Sequence, residues 1–429
     1  MTVTAGGRSF RHVVGNHLSV PLFRNSYALV LSGIGSTALG LGFWALAVRL
    51  YPPEEIGRTS AAVAMMILLS SITQLNLTNG LVMFLPDAGS RTGPLVRSAY
   101  AIAALSSLIG AGSFTIAAFG YLFFANGSTA GFAVLFVLAV PLWSVFVLQD
   151  AALTGLRSAG MVPVENVAFA LIKIVLIVPL AVFPQLGLLS AWLLSAGLVI
   201  IPLNAYLFRR LIPKRDNALA TVGSWWQVRR YLASDYMGGL LETAFVGVLP
   251  VVVAWKLGLV ANAYFYTSWI VVTALEAVLF SIGSSLTVEG AHERSATAVL
   301  HNRAVKMTAA LILPVVAIGF VGAPWLLRIY GHEYAVNATA LFQLLLLAMP
   351  LRAIVVLRIS VLRIERRGLS IMGYQGVNAC LLLVGTLLVV ERFGLAGVGW
   401  VFLTVQVLLA SSVLVMNARR HQDESKAMA

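Results

Sequence analysis

Two long apolar runs, Ser26–Leu50 and Thr59–Leu85, stand back to back across an eight-residue corner, Tyr51-Pro52-Pro53-Glu54-Glu55-Ile56-Gly57-Arg58. About 20 apolar residues rising about 1.5 Å each cross the hydrocarbon of a bilayer, so each run is long enough to span it. The corner is too short to be a domain. Its two prolines stop the first helix, and the acids then fall near the start of the second, where the helix dipole favours negative charge.

The same pattern recurs along the chain. Apolar residues make up 59% and charged residues 10%, where a soluble domain carries about 25% charge. The chain is therefore an all-α polytopic membrane protein. We read twelve transmembrane helices, at 26–50, 60–85, 96–124, 129–152, 162–183, 187–208, 231–255, 260–287, 305–329, 338–357, 369–390 and 395–417. The single cysteine, Cys380, lies inside an apolar run, excludes an internal disulfide framework and reads as a small packing residue. The basic N-terminus (Arg8, Arg11, Arg24) leads straight into a span too long for a cleavable signal, so the first helix is expected to serve as its own insertion signal.

Charge gives the orientation. The N-terminus, the even-numbered loops and the C-terminus hold 22 of the 29 Lys and Arg residues, the other loops hold 5, and Lys173 and Arg352 fall within spans. Positive charge collects on the cytoplasmic side, so both termini are expected there, in the cytoplasmic membrane. The net charge of +13 thus points to anionic membrane lipid and not to nucleic acid. The longest polar connection, 209–230, carries Arg209, Arg210, Lys214, Arg215, Arg229 and Arg230 around Trp225-Trp226. It suits either a helix lying in the cytoplasmic interface or a solvated basic linker. It divides the chain into an N-terminal cytoplasmic segment (1–25), a six-helix bundle (26–208), the linker (209–230), a second six-helix bundle (231–417) and a cytoplasmic tail (418–429). Leu50 at the first corner matches Leu257 in Trp255-Lys256-Leu257-Gly258, and Leu186-Gly187-Leu188 matches Phe393-Gly394-Leu395, both at an offset of 207. Equal offsets at two distant places point to parallel repeats, whose substrate sites lie between the halves.

An ionisable residue inside a membrane is costly and normally faces a cavity or a partner. Lys173 in span five, Asp235 and Glu242 in span seven, Glu276 in span eight and Arg352 in span ten qualify. Asp235 and Glu242 share a helix face, although Asp235 also suits the interface. A cation in the cavity suits a phosphate, and a buried acid suits a proton or a metal cation. The competing assignment is structural: Glu242 or Glu276 bridges to Lys173 or Arg352. Polar residues crowd span two (Ser70, Ser71, Thr73, Gln74, Asn76, Thr78, Asn79) and mark a water-facing side. The six histidines have no metal-ligand spacing, and Gly33-Ile34-Gly35 is followed by no phosphate-loop lysine, so no metal and no nucleotide cofactor is expected.

The corner Ala47-Val48-Arg49-Leu50-Tyr51-Pro52-Pro53-Glu54-Glu55-Ile56-Gly57, with Gln74-Leu75-Asn76-Leu77-Thr78-Asn79-Gly80-Leu81 and Phe84-Leu85-Pro86 at the end of span two, resembles the multidrug/oligosaccharidyl-lipid/polysaccharide exporter superfamily in its O-antigen-type polysaccharide flippase branch. Asn25 ahead of span one also fits. The departures are Asn76, where the family usually has Gly, and Met83, where Arg is frequent. The resemblance implies two six-helix bundles forming a V around a central cavity. It implies a transporter that flips a polyprenyl-pyrophosphate-linked oligosaccharide by alternating access, with glycan polymerase or glycosyltransferases as partners. The pyrophosphate would be held by cations among Arg24, Arg49, Lys173 and Arg352. In the family's lipid II flippase branch, sodium is held by polar residues of spans seven, eleven and twelve. Asp235, Asn378 and Thr404 occupy those spans here, so the coupling cation would be Na+ or H+.

Three other readings remain open. A cation-coupled drug or metabolite antiporter of the same fold would show a cavity with acids and aromatics but few cations. A membrane glycosyltransferase or ligase would use Glu54-Glu55 as its acid pair. The first outer loop is short for such an enzyme, and adjacent helical residues point about 100° apart, so no enzymatic activity is expected. A non-transporting scaffold is disfavoured by the buried charges.

Overall fold

The computed structural model describes residues 35, 38–118, 130–213, 243, 246–292, 297–365 and 367–428. Every element among them is helical: α1 (Ala38–Leu50), α2 (Pro53–Thr73), α3 (Leu77–Phe84), α4 (Thr92–Ala118), α5 (Ala130–Gly155), α6 (Met161–Leu180), α7 (Pro184–Tyr206), α8 (Val246–Leu257), α9 (Leu259–His292), α10 (Thr297–Arg328), α11 (His332–Ile364) and α12 (Gly368–Met428). Helix α12 is two helices joined at Gly394, whose φ of 59° and ψ of −148° suit only glycine. With α2 and α3 together making one crossing and α12 making two, the chain crosses twelve times, six in each half. A π-helical turn, Leu207–Leu211, carries α7 three residues into the expected linker. The rest of that linker, with Trp225-Trp226, lies outside the described residues.

The corner between α1 and α2 is shorter than its composition suggests. Pro52 and Pro53 end one helix and open the next, so the acidic residues belong to the first turn of α2. Glu55, on that first turn, pairs at 2.8 Å with Arg58 one turn on, and both are buried, whereas Glu54 is exposed. The two adjacent acids therefore face apart, and the arrangement a catalytic pair needs is absent. The α8–α9 corner sits at Gly258, at φ +90°, in the position matching Tyr51 by the repeat offset. The second matched position differs between halves: Gly394 is the break itself, whereas Gly187 lies within α7.

The crossing read as one helix over 60–85 is broken. Leu75 and Asn76 both adopt left-handed backbone, with φ of 51° and 62°. This costs most side chains about 1–2 kcal/mol, glycine nothing and asparagine little. The position where the family usually has Gly thus needs a residue that tolerates this geometry. Side-chain hydrogen bonds gather around the break, and one of them, from Ser106, satisfies a span-two carbonyl. Gln74 donates to Ser70 Oγ at 2.8 Å and to the Ser144 carbonyl at 3.3 Å, Thr78 donates to Gln74 Oε1 at 2.9 Å, and Ser106 donates to the Thr73 carbonyl at 2.7 Å. Broken helix at this depth persists only where protein or water satisfies it, which explains the polar crowding of span two.

The break divides what span two touches. On its near side, at the end of the molecule that holds the 51–52 and 258 corners, α2 crosses α9. A Cβ on Gly57 would lie 1.7 Å from the Leu259 carbonyl oxygen, so the two backbones touch. Asn262 seals the contact, donating to the Gly57 carbonyl at 2.8 Å and to Ser60 Oγ at 3.1 Å. Trp44 meets Tyr266 edge-on at 4.8 Å, and Gly247 on α8 packs on Leu68. Beyond the break, α3 packs on α4 and α5 of its own half. The apolar core follows suit. At the corner end one cluster joins both halves. At the opposite, basic end it separates into a cluster around Leu81, Leu148 and Leu207 and another around Leu286, Ala304 and Leu357. The two bundles form the expected V, with its vertex at the corner end.

Two substitutions test this geometry. Gly57→Ala should destabilise the detergent-solubilised protein by about 1–3 kcal/mol, the range for overpacking, read as a lowered unfolding midpoint. Asn76→Gly should leave the midpoint unchanged, whereas Asn76→Val should lower it by about 1–2 kcal/mol.

Candidate functional site

Lys173 reaches the core of the N-terminal half from the middle of α6. It is 4% exposed. Its Nζ lies 3.9 Å from the Trp192 ring centroid on α7, 4.4 Å from Phe43 on α1 and 4.7 Å from Phe169 one turn earlier on α6. Among the described residues no carboxylate or hydrogen-bond acceptor meets it, so ring faces take the place of water. Such contacts are worth about 2 kcal/mol or more each when desolvated. Phe169 and Lys173 are four apart, the spacing that puts helical side chains on one face. The aromatic group extends through Trp143 and Phe146 on α5, which stack at 5.1 Å, with Trp143 packed 5.6 Å from Trp192. In front of this wall is a small cleft lined by Met66, Ala139, Leu142, Trp143, Trp192, Leu193 and Ala196. Lys173 thus stands one aromatic layer behind the cleft. The indole N–H of Trp192 is buried with no acceptor among the described residues.

The other cations are placed differently. Arg352 on α11 donates from Nε to Glu276 Oε1 on α9 at 2.6 Å, both side chains being 5% exposed, and its guanidinium lies 5.7 Å from the Phe280 ring centroid. This is the structural bridge, Glu276 to Arg352, and it occupies two residues proposed for the cavity. Arg49 is exposed at the end of α1. Arg24, Asp235 and Glu242 lie outside the described residues. Asn378 is buried and accepts from Gln406 Nε2 at 2.9 Å, whereas Thr404 is exposed, so the two face different surroundings. Cys380 is exposed and does not pack inside.

The sequence reading missed a second polar group, at the basic end of the N-terminal half. Gln149, fully buried on α5, donates to Glu165 Oε1 on α6 at 2.6 Å and accepts from the Asn204 amide on α7. Asp150 stands beside them in side-chain contact with Glu165 and Asn166. The signal was available: Gln149-Asp150 and Glu165-Asn166 flank a five-residue connection, 156–160, that returns the chain antiparallel and brings the two dipeptides level. Both acids fall inside the spans read at 129–152 and 162–183, but so near their ends that they read as interfacial and not as core. Outside the spans, Tyr51 donates to the Ile177 carbonyl at 3.2 Å, and burial pushes its phenol up to about 12, so it remains a donor.

No protein-family description matches the sequence, and no curated protein does. Solved structures do match in fold. The chain is similar to the inward-facing conformation of a multidrug resistance MATE family transporter of the MOP superfamily, with TM-score 0.69 at 16% identity, covering 92% of this chain and 96% of that one. An outward-facing conformation of such a transporter aligns with TM-score 0.64 at 14% identity, over 94% and 96%. The MATE multidrug transporter DinF-BH, solved with a bound ligand, aligns with TM-score 0.64 at 12% identity, over 92% and 95%. These neighbours are transporters of the superfamily to which the corner motif points. The chain is a multi-pass membrane protein with their fold.

The two buried cations should respond differently to substitution. Arg352→Ala leaves Glu276 buried without its partner and should destabilise by about 3–5 kcal/mol, and the joint change Arg352→Met with Glu276→Leu should recover most of that loss. Lys173→Met strands no carboxylate among the described residues, and the loss of its ring contacts is offset by no longer burying an ammonium, so the unfolding midpoint should stay within about 1 kcal/mol of wild type. Thermal unfolding of the purified variants reads all three.

Proposed function

We propose that this chain is a cation-coupled antiporter that exports an amphipathic organic solute across the cytoplasmic membrane by alternating access. The observation that carries this is the V itself: the halves meet backbone to backbone at Gly57 and Leu259 and, among the described residues, have separate cores at the basic end. With the basic end cytoplasmic, as the charge bias implies, this is an inward-open shape. Its similarity to the inward-facing multidrug transporter supports the reading. So does the apolar and aromatic surface that Trp143, Trp192 and Met66 offer beside the cleft. Arg352, one of the cations a pyrophosphate would need, is engaged with Glu276. The solute would bind against the Trp143–Trp192 wall from the cytoplasmic side. Closure of the basic ends and opening of the Gly57–Leu259 seal would release it outside, driven by inward movement of H+ or Na+.

A second reading, flipping of a lipid-linked oligosaccharide, is favoured by Lys173, whose ammonium lacks a carboxylate partner among the described residues and suits a phosphate. The corner motif also favours it. Liposomes containing the purified protein separate the two readings. With a proton or sodium gradient imposed, the antiporter reading expects gradient-driven movement of an aromatic amphiphile such as ethidium, reduced by Trp192→Ala. Movement of a labelled polyprenyl-pyrophosphate sugar between leaflets, with no gradient-driven ethidium flux, would overturn it in favour of the flippase.

A further inference from the structure

The buried group on α5 and α6 has chemistry that packing does not explain. Glu165 is 3% exposed. Its Oε1 accepts from Gln149, but among the described residues its Oε2 has no donor, nor has Asp150 Oδ1, and the two carboxyl groups contact each other. The Tyr100 hydroxyl on α4 is also buried with no partner among the described residues, near both acids. Glu165 is buried and Asp150 half-buried, and like charges in contact with little water force one to take up a positive charge or a proton. Nothing among the described residues of the surrounding helices supplies that charge. Helix α4 contributes Tyr100, α7 contributes the uncharged Asn204, and the apolar cluster around Leu81 and Leu148 closes the rest. Arg97, Arg157, Arg209 and Arg210 lie at the same end but are exposed, and none forms an ion pair with either acid.

We propose that Asp150 and Glu165 form a proton-binding site that holds one exchangeable proton between their carboxyl groups. Gln149, itself fixed by Asn204, holds Glu165 Oε1 and so aims Oε2 at Asp150. Loading forms one O–H bond on a carboxylate oxygen and leaves the pair with a single negative charge. Unloading breaks that bond and passes the proton to water. Asp150 is five residues from the end of α5 and Glu165 four from the start of α6, so the pair lies about 6–8 Å inside the helix ends at about 1.5 Å per residue. That depth places it within reach of water at the basic end, with the Tyr100 hydroxyl beside it as a donor or relay. The role of the site in transport rests on the cation-coupled reading above; its proton occupancy does not.

Infrared spectroscopy of the purified full-length protein at neutral pH, in H2O and D2O without sodium, tests the site directly. A protonated-carboxyl carbonyl band that shifts in D2O and is lost in Glu165→Gln is expected, with a displaced or lost band in Asp150→Asn. No such band in wild type, the same band unchanged in Glu165→Gln, or its removal by added sodium would overturn the proposal, the last in favour of a metal cation. Glu165→Gln should also lose proton-driven ethidium movement while keeping ethidium binding by fluorescence. If wild type moves no ethidium, the antiporter reading fails and the infrared result still decides the site. If wild type moves ethidium on a proton gradient and Glu165→Gln moves it equally well, the proton on this pair is not the coupling proton.

Discussion

The close crossing of α2 and α9 is the contact on which the architecture turns. It exists because Gly57 has no side chain: its backbone touches the Leu259 carbonyl, where any Cβ would collide. Asn262 then satisfies the Gly57 carbonyl across the junction. Trp44 against Tyr266 and one apolar cluster shared by both halves complete the seal at that end. Among the described residues the bundles share no core at the basic end. Such an interface permits one half to rotate against the other without dismantling either bundle, which is what alternating access demands.

The break at Leu75-Asn76 completes that mechanical picture. Near the corner, span two belongs to the inter-half contact; beyond the break it belongs to the N-terminal half. A continuous helix would force its basic end to follow the α9 contact. Two left-handed residues, with Ser106 capping the Thr73 carbonyl, let it turn back. The buried charges divide in the same way. Arg352–Glu276 ties α9 to α11 and serves the integrity of the C-terminal half. Lys173, caged by rings, and the Asp150–Glu165 pair leave charge without a matching partner among the described residues. Unbalanced charge inside a membrane is costly enough that function is its natural explanation.

The layout was legible because hydropathy and positive charge act on whole segments. Twelve crossings, two halves and the Gly394 break all follow from run length and the repeated offset. What escaped depends on geometry between segments. No local pattern shows that Arg352 meets Glu276, 76 positions earlier, or that Trp192 comes over Lys173. The break in span two was half visible: polar residues marked the stretch, and Asn76 replacing a usual Gly was the clue to left-handed backbone. Asp150 and Glu165 were missed because acids at the ends of apolar runs normally sit in the interface. Here the short 156–160 connection and the α4 and α7 neighbours bury Glu165 and half-bury Asp150 instead.

The central claim is that the halves move as bodies about the corner-end seal. The direct measurement is the spin-label distance between the two bundles at the basic end, for example from Met83→Cys on α3 to Ser285→Cys on α9, in a Cys380→Ala background. Both labelled positions are exposed. In lipid, the account predicts two distance populations, long and short, whose ratio shifts when an ion gradient or solute is applied. A single distance unchanged by pH, sodium or solute would contradict it and make the V a static shape.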